Sequence, residues 1–245
     1  MSFQFRHFLI HQDRCAMKVG TDGVLLGAWA ALSEGNHDPA LLDIGTGTGI
    51  IALMLAQRTI QRNPALFHID AIEIDPIAAQ QAQENVAASP WPTHITVLPL
   101  SLQAFAESNP ASNYDLIVSN PPFYNATLKP DDEGRAMARH KDALPVSDIT
   151  RFASTHLNEN GRLALIYPIA YDSEVMTAAV LSSLHPVRIC DILTKFGKPC
   201  KRRMAEFSLR SAPISREQLI IRDVDGKYPD ADRALTADFY LHLTD

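Results

Sequence analysis

The chain has 245 residues and a net charge of −6, with 46% of its residues hydrophobic and only 20% charged. This composition excludes a disordered chain and suffices for one substantial core. No apolar run approaches the roughly 20 residues that span a bilayer, and no secretory signal is recognisable, so we expect no membrane partner. Three widely spaced cysteines without a metal-ligand pattern predict reduced thiols, no bound metal and a cytoplasmic protein.

The first predicted element is a helix near the N-terminus. Residues 1–20 show no clear period, and the turn Gly20-Thr21-Asp22-Gly23 then precedes an apolar run over 24–30. We expect Thr21 or Asp22 to cap this helix. A loop over 33–39 follows it.

From residue 41 to residue 184, short apolar runs alternate with helical segments. Strands are predicted over 41–44, 67–74, 95–98, 114–118 and 163–167. Helices are predicted over 50–58, 77–88, 102–107, 147–158 and 171–184, with Pro76 at a helix start, Ser147 or Asp148 as a cap and Gly161 as a C-cap. Such alternation calls for a parallel sheet with helices on both faces.

Two more strands, over 187–195 and 204–210, close the chain as an antiparallel hairpin at the edge of the sheet. The predicted fold is therefore α/β and Rossmann-like, with a seven-stranded, mostly parallel sheet. We expect one domain over 1–245, formed by an N-terminal extension with a cap helix (1–33) and a core (34–245) that carries the hairpin.

The hairpin is strongly basic. Nine basic and three acidic residues lie within 188–222, which leaves a net charge of −12 on the remainder of the chain. Residues 196–203, with the sequence Phe-Gly-Lys-Pro-Cys-Lys-Arg-Arg, connect its two strands and form the basic tip. An acidic body with one basic segment suits a polyanion that is met through one face, whereas a solvated basic loop without a partner is the alternative.

A glycine turn follows the strand over 41–44. Gly45, Gly47 and Gly49 let the backbone bend tightly and approach a ligand, but their spacing is not that of the dinucleotide fingerprint. Asp43 stands two residues earlier, where its charge would repel a pyrophosphate and suit a sulfonium or ammonium group. This pattern favours S-adenosylmethionine over a dinucleotide or a purely structural turn.

Two later strand ends complete the expected cofactor site. Glu73 ends the second strand of the core and can accept both hydroxyls of a ribose. The adenine ring is expected over the end of the third strand, near Ser101 and Leu102. Ser101 stands where many such sites carry an acid, so it would bind the adenine amino group only weakly.

The fourth strand ends in a stiff elbow, Asn120-Pro121-Pro122-Phe123. Consecutive prolines stop both strand and helix, and they hold Asn120 and Phe123 at the carboxyl end of a central strand. The oxygen atoms of Asn120 and the prolines can accept from an exocyclic NH2, and the ring of Phe123 can stack on a planar base. A proline-rich turn without a function is the alternative.

With these motifs in order, the chain resembles class I S-adenosylmethionine-dependent methyltransferases that methylate amino groups. The stretches 18–29, 138–140 and 219–222, and the tail with Tyr228 and 235–241, further resemble the family that methylates N6 of adenosine 37 in a valine tRNA. The resemblance implies a tRNA anticodon loop as partner, a monomeric enzyme, and cofactor contacts from Thr21 and Asp22 besides the motif residues. Phe123 departs from the tyrosine that is also common there.

The expected chemistry needs neither a metal nor a dedicated base, because the attacked nitrogen becomes strongly acidic after transfer. We expect Asn120, Pro121, Pro122 and Phe123 to hold the base that has left its stack. The expected RNA contacts are Arg139 in the polar loop 124–140 and, at the basic tip, Lys198, Lys201, Arg202 and Arg203.

Three rival functions use similar sequence features. Methylation of a protein glutamine uses the same elbow chemistry on an acceptor that is not a polyanion. Methylation of guanine N2 in ribosomal RNA is a second rival. An RNA-binding module without catalytic activity is a third, but it would not explain the presence of Asp43, Glu73 and the glycine turn.

Overall fold

The computed structural model describes residues 2–32, 38–62, 66–123, 144–222 and 229–241. The chain begins with an antiparallel ribbon of β1 (Ser2–Gln4) and β2 (Leu9–His11), followed by helix α1 (Thr21–Trp29). Phe5 and Phe8 stack at 4.8 Å between ring centroids beside this ribbon, and both side chains are buried. The ribbon is therefore anchored to the core by aromatic side chains.

The next segment alternates strands and helices. Its elements are β3 (Ala40–Ile44), α2 (Ile50–Arg62), β4 (His68–Ile72), α3 (Pro76–Ala87), β5 (Ile95–Leu98), α4 (Leu102–Ser108) and β6 (Tyr114–Ser119). Every residue of β6 is buried. This strand is therefore central in the sheet, and the diproline that follows ends it.

The C-terminal part adds three helices and four strands to the described structure. They are α5 (Val146–His156), β7 (Leu157–Pro168), α6 (Asp172–Leu181), β8 (His185–Lys195), β9 (Cys200–Ser208), β10 (Ser215–Arg222) and α7 (Asp230–Thr236), with a short 3-10 turn (Ile169–Tyr171) before α6. Helix α5 buries Ile149, Phe152, Ala153 and His156, which have the spacing of one helix face.

One sheet contains the eight strands β3 to β10, in the spatial order β10-β8-β9-β7-β6-β3-β4-β5. Only β9 is antiparallel to its neighbours, β7 and β8. The predicted α/β class, the mostly parallel sheet and the C-terminal hairpin are confirmed, but the count of seven strands is wrong. Strand β10 was missed because its first four residues are exposed and polar, so they show no buried pattern.

The position of the hairpin is also corrected. We expected it at the edge of the sheet, but β9 inserts between β7 and β8, and β10 forms the edge by pairing parallel to β8. The hairpin is thereby fixed on both sides. That residues 1–245 form a single domain stays a prediction.

Helices cover both faces of the sheet, as predicted. Successive strand residues point to opposite faces, so Leu41 and Leu116 join a cluster with α1, α2 and α3. Leu42 and Ile117 join a second cluster with α4, α5 and α6.

The predicted helix caps are partly wrong. Asp75 is the N-cap of α3, its side chain accepts from the N–H of Ile77 at 2.9 Å, and Pro76 follows as the first helical residue. Helices α1 and α5 instead begin after Gly20 and Pro145, neither of which provides a side-chain capping hydrogen bond. Thr21, Asp22, Ser147 and Asp148 therefore lie inside their helices.

Gly161 is not a helix C-cap. It lies within β7, where the register of β6 and β7 shifts. A Cβ atom at this position would lie 2.6 Å from the carbonyl oxygen of Tyr114, so only glycine fits the close approach of the two strands.

Candidate active site

The register of the sheet brings three motifs to one edge. Ile44, the last residue of β3, is paired with the last residues of β4 and β6, Ile72 and Ser119. The glycine turn, Glu73 and Asn120 therefore leave the sheet side by side. The chain continues from β3 to β4 on one side and returns to β6 on the other, so this edge is the topological switch point where open α/β sheets bind ligands.

A cavity of about 910 Å³ lies at this edge. Most of the predicted site residues line it, namely Thr21, Asp22, Gly45, Gly47, Glu73, Ser101, Leu102, Asn120, Pro121, Pro122, Phe123 and Arg202. The volume is at the upper end for small-molecule sites. It suits a cofactor together with part of an acceptor.

The glycine turn needs its glycines for backbone conformation. Gly45, Gly47 and Gly49 have φ of 73°, 57° and 82°, in the left-handed region that other residues rarely adopt. A Cβ atom on Gly45 or Gly47 would have no atom of the other described residues within 4 Å, whereas one on Gly49 would contact Ala82 at 3.5 Å. The first two glycines therefore present bare backbone to the cavity, and the third permits close packing of α2 on α3.

Asp43 lies beneath this turn, outside the cavity lining. Its Oδ2 accepts hydrogen bonds from the hydroxyl of Thr46 at 2.6 Å and the N–H of Ala52 at 3.2 Å. Its Oδ1 is buried and has no hydrogen-bond partner among the described residues. Burial raises the pKa of Asp43 to about 7, against the two hydrogen bonds, which lower it. Asp43 therefore shapes the turn and places a titratable charge below it.

Glu73 connects the ends of β3 and β4. Its Oε2 accepts from the N–H of Gly47 at 2.9 Å, and its Oε1 accepts from the N–H of Asp75 at 3.0 Å. A carboxylate oxygen has capacity for more than one donor. Glu73 can thus hold the glycine turn in place and still accept hydroxyl groups from a ligand in the cavity.

Ser101 already has a structural task. It is the N-cap of α4, and its hydroxyl accepts from the N–H of Ala104 at 3.1 Å. The hydroxyl proton remains available for donation to an acceptor in the cavity, which it lines together with Leu102.

The elbow is held tightly at its base. The hydroxyl of Ser119 donates to the carbonyl of Ile44 at 2.8 Å and so fixes the end of β6 to β3. Asn120 lines the cavity, and its side-chain amide bonds to no other residue in the described part of the chain. Phe123 packs against Tyr171, with 4.9 Å between ring centroids, and lies 6.3 Å from the ring of Tyr167. Within the described structure the amide is therefore available to a ligand, next to an aromatic wall.

The predicted RNA contacts fall into separate groups. Lys198 and Lys201 are exposed, and neither forms an ion pair within the described ranges. Arg202 lies at the cavity, with its Nε 2.9 Å from a carboxylate oxygen of Asp22. Arg139 and the loop 124–140 lie outside the described residues.

Arg203 is held inside the protein. Its side chain is only 14% exposed, and its guanidinium lies 2.7 Å from carboxylate oxygens of both Asp172 and Asp191. Burial lowers its pKa, but the hydrogen bonds to the two carboxylates outweigh burial and raise it. Arg203 is therefore placed as a structural cation, and the expectation of an RNA contact is weakest here.

The end of β7 belongs to the site, although no sequence motif indicated it. Tyr167 and Pro168 line the cavity beside the elbow, and the hydroxyl of Tyr167 donates to Asp172 at 3.0 Å. Both residues end a parallel strand next to β6, so the rule that ligands bind at the carboxyl edge could have identified them.

Comparison with known proteins identifies the family. The model of the methyltransferase small domain matches residues 25–188. A tRNA1(Val) (adenine(37)-N6)-methyltransferase of Aeromonas hydrophila is 41% identical over 241 residues, which cover 98% of each chain. The chain belongs to the family of tRNA1(Val) (adenine(37)-N6)-methyltransferases. The tRNA1(Val) (adenine(37)-N6)-methyltransferase of Flavobacterium johnsoniae is 43% identical over 243 residues, covering 98% of this chain and all of that one (100%).

Solved structures of other methyltransferases share the fold. A predicted O-methyltransferase of Agrobacterium tumefaciens matches with a TM-score of 0.66 at 19% identity, over 89% of this chain and 96% of that one. The 16S rRNA N2 G1207 methyltransferase of Thermus thermophilus, solved with AdoMet and guanosine, matches with a TM-score of 0.55 at 18% identity, over 86% of this chain and 50% of that one. The resemblance found in the sequence, to class I methyltransferases and to the adenine-N6 family, is confirmed.

The described residues contain neither a membrane-spanning helix nor a cluster of metal ligands. No helix there is long and apolar enough to cross a bilayer. No group of three or more His, Cys, Asp or Glu side chains there is placed to hold a metal ion.

Proposed function

We propose that this protein transfers a methyl group from S-adenosylmethionine to N6 of adenosine 37 in tRNA1(Val). The observation that carries the proposal is the placement of the Asn120–Phe123 elbow and the glycine turn on one cavity at the switch point of the sheet. Family membership supports the tRNA substrate, since relatives with this name cover nearly the whole chain.

The residues of the cavity fit the proposed cofactor. The bare backbone at Gly45 and Gly47 leaves space for an amino-acid tail, and Glu73 can accept ribose hydroxyls. Asp43 adds negative charge beneath the turn, where its Oδ1 has no partner among the described residues. S-adenosylmethionine supplies a methyl group already activated by a sulfonium, so the protein needs alignment more than activation.

The elbow performs the alignment of the acceptor. The exocyclic amine of adenine is a poor nucleophile because its lone pair is delocalised into the ring. Oδ1 of Asn120 and the carbonyl of Pro121 accept its two N–H groups, which turns the lone pair out of the ring plane. Phe123, supported by Tyr171, stacks on the base and excludes water from one face.

No general base is needed. The nitrogen carries a positive charge after transfer and is then strongly acidic, so its proton passes to solvent. An adenosine in a single-stranded loop leaves its stack at small cost, and the anticodon loop therefore suits a recessed cavity.

The RNA backbone meets the basic side of the cavity. Lys198 and Lys201 contact phosphates, and Arg202, which is paired with Asp22, lines the cavity. Arg139 and the loop 124–140 stay a prediction as a further contact. A tRNA substrate supports a cytoplasmic location, and we propose that one monomer, folded as a single domain, acts on one tRNA.

The proposal is tested with total tRNA from cells that lack this activity. The purified protein and labelled cofactor should yield N6-methyladenosine in a nuclease digest, mapped to position 37 of one valine tRNA. N2-methylguanosine in ribosomal RNA or methylglutamine in protein would contradict it and indicate a rival function. Absence of cofactor binding by calorimetry would leave only an RNA-binding module.

A further inference from the structure

An exposed phenylalanine lies at the corner of the basic tip. The turn between β8 and β9 is closed by a hydrogen bond from the N–H of Lys198 to the carbonyl of Lys195 at 3.2 Å. Gly197 is its third residue, with φ of 73°, which glycine adopts without strain. Phe196 is the second residue, at the corner of the turn, and is 74% exposed.

Exposure of one apolar side chain is common and needs no explanation by itself. Phe196 differs because no other phenylalanine, tyrosine or tryptophan side chain in the described part of the chain is exposed. Its neighbours are cations. Lys195, Lys198 and Lys201 are exposed, and none has an ion-pair partner within the described ranges. An aromatic ring among unpaired cations is the combination with which proteins bind single-stranded nucleic acid.

The hairpin also connects this ring to the cavity. Arg202 of β9 lines the cavity and is paired with Ile192 of β8. Lys195, the last residue of β8, lies three residues beyond Ile192, which corresponds to about 10 Å along a strand, and Phe196 follows it in the turn. The ring is thus too far out to contact a base in the cavity, and near enough to contact a base close to it.

We propose that Phe196 stacks on an unpaired base of the anticodon loop that neighbours the target adenosine, while Lys195, Lys198 and Lys201 bind the adjoining phosphates. This inference rests on the proposed function. It assigns to Phe196 a contact that increases the affinity for tRNA and takes no part in methyl transfer. The stack holds the loop on the enzyme while the target base occupies the cavity.

The test compares three substitutions of Phe196 in steady-state methylation of the tRNA. Phe196→Ala and Phe196→Leu should each raise KM for tRNA by about 10-fold, or about 1.4 kcal/mol, since both remove the ring. Phe196→Trp should stay within about twofold of the wild type, because an indole also stacks. kcat and the affinity for S-adenosylmethionine should not change.

The dependence on salt separates stacking from charge. Lys198→Ala and Lys201→Ala should each lower the slope of log KM against log salt by about 0.7, because one phosphate contact is lost. Phe196→Ala should leave this slope unchanged. Leu181→Ala is the matched control, since Leu181 is 81% exposed on α6 and should leave both KM and slope unchanged.

Fluorescence gives a second measurement on Phe196→Trp. Trp29 and Trp91 are only 4% and 6% exposed, so the introduced indole should dominate quenching by an oligonucleotide with the anticodon-loop sequence. Absence of quenching, or a KM of Phe196→Ala or Phe196→Leu equal to that of the wild type, would overturn the inference while tRNA methylation stands. A wild-type protein that methylates no tRNA would overturn the proposed function, and this inference with it.

Discussion

The glycine turn and the basic tip hold their charged side chains in opposite ways. Around the turn, Glu73 and Asp43 are bonded to backbone groups before any ligand arrives. At the tip, Lys198 and Lys201 are exposed and have no ion-pair partner in the described structure. A small cofactor of fixed shape favours the first arrangement, because preorganised groups lose little entropy on binding. A phosphate backbone of variable shape favours the second.

The elbow lies between these two regions, and its removal should have the largest effect. Asn120→Ala should lower kcat for tRNA methylation by about 100-fold or more, because the acceptor amine loses its alignment. The affinity for S-adenosylmethionine, measured by calorimetry, should stay near that of the wild type. Asn160→Ala, an exposed asparagine far along the sheet, is the control. Unchanged turnover of Asn120→Ala would show that the elbow does not hold the base.

The buried carboxyl group of Asp43 should make the free energy of unfolding depend on pH. Folded Asp43 keeps its proton up to about pH 7, whereas an ordinary aspartate loses it near pH 3.8. The folded state therefore binds the extra proton between these values, and the free energy of unfolding falls as the pH rises through this range, by about 1–4 kcal/mol. Asp43→Asn, a neutral side chain of the same shape, should lack this decrease.

Urea unfolding of both proteins without cofactor, at several pH values, measures the difference. Parallel curves would contradict the raised pKa. The wild type should also gain affinity for S-adenosylmethionine relative to Asp43→Asn as the pH rises through about 7, because only the wild type then becomes negatively charged beneath the turn.

Two neighbouring basic residues should separate structure from RNA binding. Arg203→Ala should destabilise the protein by about 1–3 kcal/mol, because it leaves Asp172 and Asp191 without their shared cation. Lys201→Ala should leave the free energy of unfolding unchanged and raise KM for tRNA in low salt. Urea unfolding and methylation kinetics on both variants give the comparison. A stable Arg203→Ala variant with weakened tRNA binding would restore the RNA role expected from the sequence.

The cofactor side was predictable because its signals are local. A strand, a glycine turn and a helix occupy adjacent residues, and the diproline ends a strand whatever surrounds it. The edge on which these motifs meet also follows from the alternation of strands and helices. Residues that line the cavity could therefore be predicted from the sequence, although their individual contacts could not.

The basic side was less predictable because the partners of its side chains depend on how the strands pair across the sheet. Arg202 and Arg203 are adjacent in sequence, yet one faces Asp22 of α1 and the other faces Asp172 and Asp191. No local sequence pattern predicts these partners or the insertion of β9 between β7 and β8. The edge strand β10 was also not predicted. Its first residues are polar and exposed, and an edge strand needs no pattern of buried residues.

A pair of matched glycine substitutions gives the smallest and cleanest contrast between the two regions. Gly47 and Gly197 have φ of 57° and 73°, and within the described structure a Cβ atom at either position would have no neighbouring atom within 4 Å. Alanine should therefore cost a similar conformational strain at both, about 1 kcal/mol in urea unfolding.

The functional consequences should differ. Gly47→Ala should weaken S-adenosylmethionine binding by about 10-fold, roughly 1.4 kcal/mol, because its methyl group enters the space left for the cofactor. Gly197→Ala should leave cofactor binding unchanged and raise KM for tRNA through the displaced basic tip. Calorimetry and methylation kinetics decide between them. Equal effects of the two variants on cofactor affinity would mean that strain alone, and not bare backbone at the cavity, explains why glycine stands at the turn.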